Sequence, residues 1–256
     1  MRRALLLAFA AVFTASAQLS PADQSALVEK VKVAGAAYSE QLMRFSASQH
    51  KLRTTAPVND RTDAKWKLLE RQDSDLDFDA GKLKYKLRRV DGSEKNPERR
   101  VKQGYLNSWG EFEAIKWVFA PKRKASVVWD HQEADGPCVL SYRVPQATSE
   151  LNMNANAYRM IFAYQGWVFV DCVSGNIARV QVKTDPAVMK MGRREVPVGV
   201  DLDVRYAPVE IAGQSYLLPN QAVIIGQFNK TLTKAEMSFS GYRKYEASSS
   251  IVFGEP

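Results

Sequence analysis

A succession of short strand patterns separated by turns constrains the fold of this chain most strongly. From residue 125 onward, β-branched and aromatic residues recur in short runs, and turn signals such as Asp135-Gly136-Pro137 and Ser174-Gly175 separate many of the runs. Strands joined by short turns, with few helices between them, favour an antiparallel sheet over βαβ units. The predicted strands are 125–129, 138–144, 158–164, 167–172, 177–183, 201–211, 215–218, 221–228, 234–242 and 250–253.

The N-terminal half adds two helices and a further strand. Ser20 and Pro21 are typical of a helix start, and apolar residues then recur at helical spacing at Leu27, Val31, Ala34, Tyr38 and Leu42, which predicts a helix over 21–45. A capping-box pattern, Ser108-Trp109-Gly110-Glu111, predicts a short helix over 109–119. Strict alternation over 82–88 predicts a half-buried strand, while 51–63 and 184–199 are predicted to be loops. The fold class is mainly β, of the α+β type.

The first residues have the three parts of a secretory signal peptide. Arg2 and Arg3 precede an apolar run over 4–13 that is too short to span a bilayer as a helix. Ala15-Ser16-Ala17 then supplies the small residues that a signal peptidase requires. We therefore predict a signal peptide over 1–17, a mature chain that starts at Gln18 without a membrane-spanning segment, and a periplasmic or secreted location.

Export changes what the cysteines and the charge imply. Disulfides persist outside the cytoplasm, so the even count of two, Cys138 and Cys172, favours one bridge, with free buried thiols as the alternative. The chain carries 36 basic and 28 acidic residues, a net charge of +8. Outside the cytoplasm this surplus disfavours nucleic acid as a partner. It indicates either a solvated surface that serves solubility or a surface that meets anionic lipid headgroups, acidic glycans or an acidic protein.

The usual patterns of catalysis and metal binding are missing. The acidic run over 73–79 lacks the glycine and glutamate of a calcium loop, so its carboxylates are predicted to line the wet face of a strand or turn. Two histidines, His50 and His131, are too few for a zinc site, and neither stands in a nucleophile motif. We predict no catalytic residue, no metal and no cofactor, with paired carboxylates left open.

A predicted hairpin carries the aromatic residues that are the best candidates for a binding surface. A tight turn at Gln165-Gly166 would join 158–164 to 167–172, and that register places one set of apolar side chains on a single face. This set is Met160, Phe162, Tyr164, Trp167 and Phe169, joined by Ala178, Val180 and Val182 from the next strand. Trp109 and Trp117 on the short helix would pack on this face, which forms either a filled core or the wall of an apolar pocket.

Part of this segment resembles a known motif. Gly166-Trp167-Val168-Phe169-Val170-Asp171, followed by Ser174-Gly175 and Arg179, is similar to the hairpin of the LolA/LolB/RseB-like periplasmic lipoprotein-binding superfamily. The mature length suits one domain, or at most two small ones, and we predict a single domain over 18–256. The resemblance implies that this domain is a curved antiparallel half-barrel sheet wrapped around helices, which here are one long N-terminal helix and one short helix. It also implies a concave apolar face that binds lipid chains. The segments 216–219 and 242–245 resemble a group of secreted acidobacterial proteins, which implies no function.

Three functional hypotheses follow. The first is an exported, non-enzymatic protein that holds a lipid, an acyl chain or a lipoprotein segment in an apolar cavity. The second is an envelope structural or assembly protein that binds protein partners through a basic outer face made of Lys82, Lys84, Lys86, Arg88, Arg193 and Arg194. The third is a carboxylate-based hydrolase.

Overall fold

The computed structural model describes residues 19–41, 45–58, 65–79, 82–102, 110–155 and 157–244. The predicted signal peptide and the strand predicted over 250–253 lie outside these residues. The helices are α1 (Pro21–Gln41), α2 (Pro97–Arg100) and α3 (Ala114–Phe119), with 3₁₀ turns at Pro121–Arg123 and Gln146–Thr148. The strands are β1 (Phe45–Pro57), β2 (Lys67–Asp79), β3 (Lys82–Val90), β4 (Ser126–Gln132), β5 (Cys138–Val144), β6 (Asn152–Ala155), β7 (Tyr158–Ile161), β8 (Tyr164–Val170), β9 (Ile177–Thr184), β10 (Ala187–Met191), β11 (Arg194–Ile211), β12 (Gln214–Phe228) and β13 (Thr231–Lys244).

Most of these strands form one large antiparallel sheet. Its order is β3-β2-β1-β13-β12-β11-β9-β8-β5-β4, with β10 pairing on β11, while β6 and β7 form a separate hairpin. The first and last described strands, β1 and β13, are hydrogen-bonded neighbours in the middle of the sheet. The sheet is not closed, because β3 and β4 are its edges, and it curves around the helices. The predicted mainly β, half-barrel α+β fold is confirmed.

Helix α1 begins as predicted and ends earlier. The backbone N–H of Asp23 donates to the Ser20 hydroxyl over 3.2 Å, which satisfies one of the free donors of the first turn. Leu27, Val31 and Tyr38 are buried as predicted, whereas Ala34 is exposed. The prediction of a helix to residue 45 is wrong, because Phe45 is the first residue of β1.

Two predicted loops are strands. Residues 51–57 belong to β1, and much of 184–199 belongs to β10 and β11. Their sequences carry polar residues because one face of each strand is wet, and hydrogen bonding to neighbouring strands decides the conformation. The predicted helix over 109–119 is shorter in the structure, since α3 starts at Ala114, and Glu111 is buried rather than exposed in a capping box.

The predicted hairpin with a turn at Gln165-Gly166 is wrong. Strand β8 runs without interruption through both residues, and it pairs with β5 on one side and β9 on the other. The segment 158–161 is β7, which pairs with β6 in the small hairpin. Glycine was interpreted as a turn signal, but Gly166 lies inside the strand. Glycine is required there because the backbone of the neighbouring strand approaches closely, as described below.

Two features fix the interior of the half-barrel. Phe45 stacks on Phe78 with ring centroids 5.0 Å apart, and Phe112 packs edge-on against Phe239 at 5.2 Å. The predicted disulfide is confirmed: Cys138 and Cys172 are joined and link the start of β5 to the turn after β8.

None of the helices in the described part of the chain has the length and apolarity that a membrane-spanning helix needs.

Candidate functional site

The residues predicted to share one aromatic face are divided between the two faces of the sheet. Tyr164 and Phe162 are sealed in the core, at 0% and 1% exposure. Because side chains alternate along a strand, the continuity of β8 turns Trp167 and Phe169 to the opposite, convex face, where Trp167 is 38% exposed. The prediction of a single shared face is therefore wrong.

The other predicted members are distributed in the same way. Met160 lies on β7 in the small hairpin, and Ala178 is exposed, whereas Val180 and Val182 are buried. Trp117 is buried on α3, and its carbonyl oxygen accepts a 2.7 Å hydrogen bond from the Tyr164 hydroxyl. Trp109 lies outside the described residues. Of the predicted residues, the structure thus joins Tyr164 on the sheet to Trp117 on α3.

The residues that resemble the LolA/LolB/RseB hairpin, from Gly166 to Arg179, make contacts that hold the sheet together. A Cβ added at Gly166 would lie 1.9 Å from the carbonyl oxygen of Gln181, so only glycine fits there. The Tyr142 hydroxyl donates to that same oxygen over 2.8 Å. Asp171 accepts backbone hydrogen bonds from residues 173 and 174, which hold the turn after β8 and lower the pKa of its carboxyl. These contacts are structural.

Arg179 completes the motif on the convex face. Its guanidinium lies over the Phe169 ring, 4.8 Å from the centroid, and makes two hydrogen bonds to the carboxylate of Asp203. Partial burial alone would raise the pKa of Asp203, but the hydrogen bonds from Arg179 and Gln181 outweigh it and lower that pKa. The trio locks β8, β9 and β11 together.

The predicted basic outer face is largely matched by acidic neighbours. Strand β2 presents Asp77 and Asp79 directly opposite Lys84 and Lys82 of β3. Further along, Arg88 pairs with Asp75 at 3.4 Å. The acidic run over 73–79 therefore lines an exposed strand face as predicted, and it offsets much of the positive charge that the second hypothesis requires.

A charged cluster that the sequence analysis missed lies on the concave face near β3. Arg53 and Glu70 form a buried ion pair, with side chains 4% and 0% exposed. The second oxygen of Glu70 accepts the backbone N–H of Lys102 over 2.6 Å. Close by, burial lowers the pKa of Lys51, against the opposing effect of Glu111. The sequence carries little signal for this cluster, because Lys51 and Arg53 flank the apolar Leu52, which favours placing both basic residues on the wet face of a strand.

A serine, a histidine and an aspartate lie side by side on the convex face. His50 hydrogen-bonds Asp73 over 2.6 Å, and Ser238 is opposite His50 in the strand register. The described residues contain no hydrogen bond between Ser238 and His50, and the His50 side chain is 60% exposed on an open sheet surface. Nucleophilic catalysis needs a base in contact with the nucleophile and a shielded site for the substrate, so this arrangement lacks its essential parts.

Within the described ranges, no three or more His, Cys, Asp or Glu side chains come close enough together to hold a metal ion.

An apolar groove of about 300 Å³ lies between α1, α3 and β4. Val33, which is 71% exposed, stands on its α1 side. The complete lining is Lys32, Val33 and Ala36 from α1, Val118 and Phe119 from α3, Ala120, Pro121, Lys124 and Ala125 from the connection, and Val127 from β4. Its volume is at the lower end of the range for ligand pockets, and its walls are mainly aliphatic.

Glycine in α1 sets the depth of this groove. A Cβ added at Gly35 would lie 2.4 Å from the ring of Phe119, so the absence of a side chain lets α3 pack directly on α1. The cost of glycine inside a helix, about 1 kcal/mol, is therefore offset by this packing. The apolar stripe of α1 was predictable from its own residues, but this contact was not, because only the folded chain brings α3 to α1.

The turn that ends the groove is fixed by a buried arginine. Arg123 is 2% exposed, pairs with Glu150, and donates to the carbonyl oxygen of Thr148 over 3.2 Å. Hydrogen bonding to Arg123 and to Lys122 lowers the pKa of Glu150 to about 2. The next residue, Lys124, has a left-handed φ of 51° and leads into β4. It is exposed, and the described residues give it no ion-pair partner.

No protein-family model matches the chain, and no curated protein matches it in sequence. Among solved structures, it is similar to a LolA superfamily protein from Nitrosomonas europaea, at 9% identity over 88% of this chain and 94% of that one. The TM-score is 0.27, which is too low to establish a common fold or a common ligand.

Proposed function

We propose that this protein is an exported, non-enzymatic binding protein that holds the apolar chain of an anionic amphiphile in the groove between α1, α3 and β4. The observation that carries the proposal is the groove itself, a concave aliphatic surface of about 300 Å³ with two lysines in its lining. The groove exposes apolar area to solvent between β4 and the two helices. A bound ligand would cover this area.

The two lysines indicate the kind of head group. Lys124 has no ion-pair partner among the described residues, and Lys32 pairs only with Glu29, at the surface. A carboxylate or phosphate on the bound chain would meet both ammonium groups without displacing a buried pair. Exposed charges of this kind steer a ligand and set its orientation, while the apolar walls supply the affinity.

Two further features support an extracellular binding protein. The disulfide between Cys138 and Cys172 is of a kind that persists in an oxidising compartment. The predicted signal peptide would deliver the chain to such a compartment. Helix α3, which supplies Val118 and Phe119 to the groove, is tied to the core, because the Tyr164 hydroxyl donates to the carbonyl oxygen of Trp117. A rigid wall of this kind reduces the entropy cost of binding.

Native mass spectrometry of the protein purified gently from a periplasm, together with displacement of a fluorescent fatty acid, tests the proposal. We expect a bound amphiphile and saturable displacement. Val33→Asp, which places a carboxylate among the apolar walls, should weaken fatty-acid binding at least about tenfold, because it adds a like charge and removes apolar contact.

Val173→Asp is the matched control, since Val173 is 88% exposed in the turn after β8 and outside the groove lining. It should bind the fatty acid as the unaltered protein does. Equal affinities for all three proteins would exclude the groove as the site, and a protein that neither carries nor takes up an amphiphile would exclude the function.

A further inference from the structure

The edge strand β4 has backbone groups available for pairing. Within the described residues, its strand hydrogen bonds go to β5 alone, so the other side of β4 has no strand partner there. Helix α1 packs beside Val127, on the concave side, and leaves Val128 53% exposed on the convex side. An open edge that carries aliphatic side chains is a template for the addition of another strand.

The regular part of this edge is short. Asp130 is bulged, since the pairing with β5 passes from Trp129 to His131. A bulge bends the strand and ends regular pairing, so the available run is Ser126–Trp129. A strand of this length buries little area, and the resulting association is expected to be of micromolar affinity.

The charges around β4 would attract a second, antiparallel copy of the same strand. Lys124 precedes the strand, while Asp130, Glu133 and Asp135 are exposed in and after it. An antiparallel partner with the same sequence brings its acidic end beside Lys124 and its own Lys124 beside the acidic end of the first copy. Such an arrangement is attractive at both ends, as a two-fold interface requires.

We infer that the strand that covers this edge is β4 of a second copy of this chain. The two β4 strands pair antiparallel about a two-fold axis at Val128, which places each Val128 opposite its equivalent. Val127 then faces Trp129 of the second copy, and Ser126 reaches the bulge at Asp130, where regular pairing ends. Paired residues in this register have the same backbone orientation, so every outward N–H meets an outward carbonyl oxygen.

The pairing joins two sheets into one and is independent of any bound amphiphile. Both grooves then flank the two-fold axis, because Val127 lies in the groove lining and next to the paired edge.

Sedimentation equilibrium of the purified protein over about 1–200 μM tests the association, a range that brackets a micromolar dissociation constant. We expect a monomer–dimer equilibrium for the unaltered protein. Val128→Lys should weaken it at least about tenfold, since two like charges would meet on the axis. Val173→Lys, with the same added charge at a distant turn, should leave it unchanged.

Disulfide cross-linking tests the register. Opposite residues of an antiparallel pair have Cα atoms about 4.5–5.5 Å apart, within the range that a disulfide spans. Val128→Cys should therefore give a covalent dimer on mild oxidation, whereas Val188→Cys, at an exposed position on β10, should not. A monomer at all concentrations, or equal cross-linking of the two variants, would overturn the proposal. So would binding of an extended apolar peptide at β4 by a protein that remains monomeric.

Discussion

The two edges of the sheet are built from opposite kinds of side chain. Near β3, the outer face carries rows of aspartates and lysines in register, and the inner face carries the buried pair of Arg53 and Glu70. Near β4, the sheet is held by apolar packing, by the close approach at Gly166 and by a disulfide. Charged rows protect the first edge from pairing, whereas the second edge leaves aliphatic surface and backbone groups open. Stability on the β3 side should therefore depend on charge, and on the β4 side on shape.

The largest expected effect is on the β3 side. Glu70→Ala removes one partner of a buried ion pair and should lower the free energy of unfolding by about 3–5 kcal/mol, because Arg53 is left charged in the interior. Glu236→Ala breaks the pair with Lys234, in which Glu236 is 42% exposed, and should cost less than about 1 kcal/mol. Urea denaturation of both variants measures the difference, and equal losses would show that burial does not matter there.

A second change tests the same pair without leaving a lone charge. The double variant Arg53→Met, Glu70→Leu should be less destabilised than Glu70→Ala, since apolar residues of similar size replace both charges. It should not reach the stability of the unaltered protein, because the Lys102 N–H loses its acceptor. A double variant that is less stable than Glu70→Ala would contradict this account.

On the β4 side, Gly166→Ala should lower the free energy of unfolding by about 3 kcal/mol, because strands β8 and β9 must separate to admit the new Cβ. Gly92→Ala is the control near β3. Gly92 has a φ of +80° and no neighbouring atom within 4 Å, so the cost there should be only the left-handed strain of about 1 kcal/mol. Thermal denaturation followed by circular dichroism compares the two, and a smaller loss at Gly166 would refute the close approach.

The smallest effect concerns the ion pair beside the groove between Arg123, which is buried, and Glu150, which is 44% exposed. Glu150 has its pKa lowered to about 2, chiefly by its hydrogen bond with Arg123, so its contribution to stability is complete above the unfolded-state pKa of about 4.3. That contribution is lost as the pH falls towards 2. Glu150→Gln should therefore be less stable than the unaltered protein at pH 7 and equally stable near pH 2. A difference that persists at pH 2 would assign the effect to packing.

Local patterns predicted the elements whose signal comes from their own residues. Alternation predicted β3, runs of β-branched and aromatic residues predicted β5 and β9, and a capped apolar stripe predicted the start of α1. The even number of cysteines behind a predicted export signal predicted the disulfide. The antiparallel, mainly β fold followed from the spacing of turns. These features depend on interactions close in sequence or on a simple count.

The groove and the buried ion pair depend on contacts between residues distant in sequence. The wrong predictions failed for the same reason. Gly166 was interpreted as a turn because nothing near it reveals the Gln181 carbonyl oxygen that excludes a side chain. That error moved Trp167 to the wrong face, since a single turn reverses the alternation of every later residue. The groove needs Gly35 beside Phe119, and the buried pair needs Arg53 beside Glu70. The sequence by itself determined the fold class and the disulfide; only the tertiary structure decided which face each strand buries, because that choice is made by the neighbouring strand.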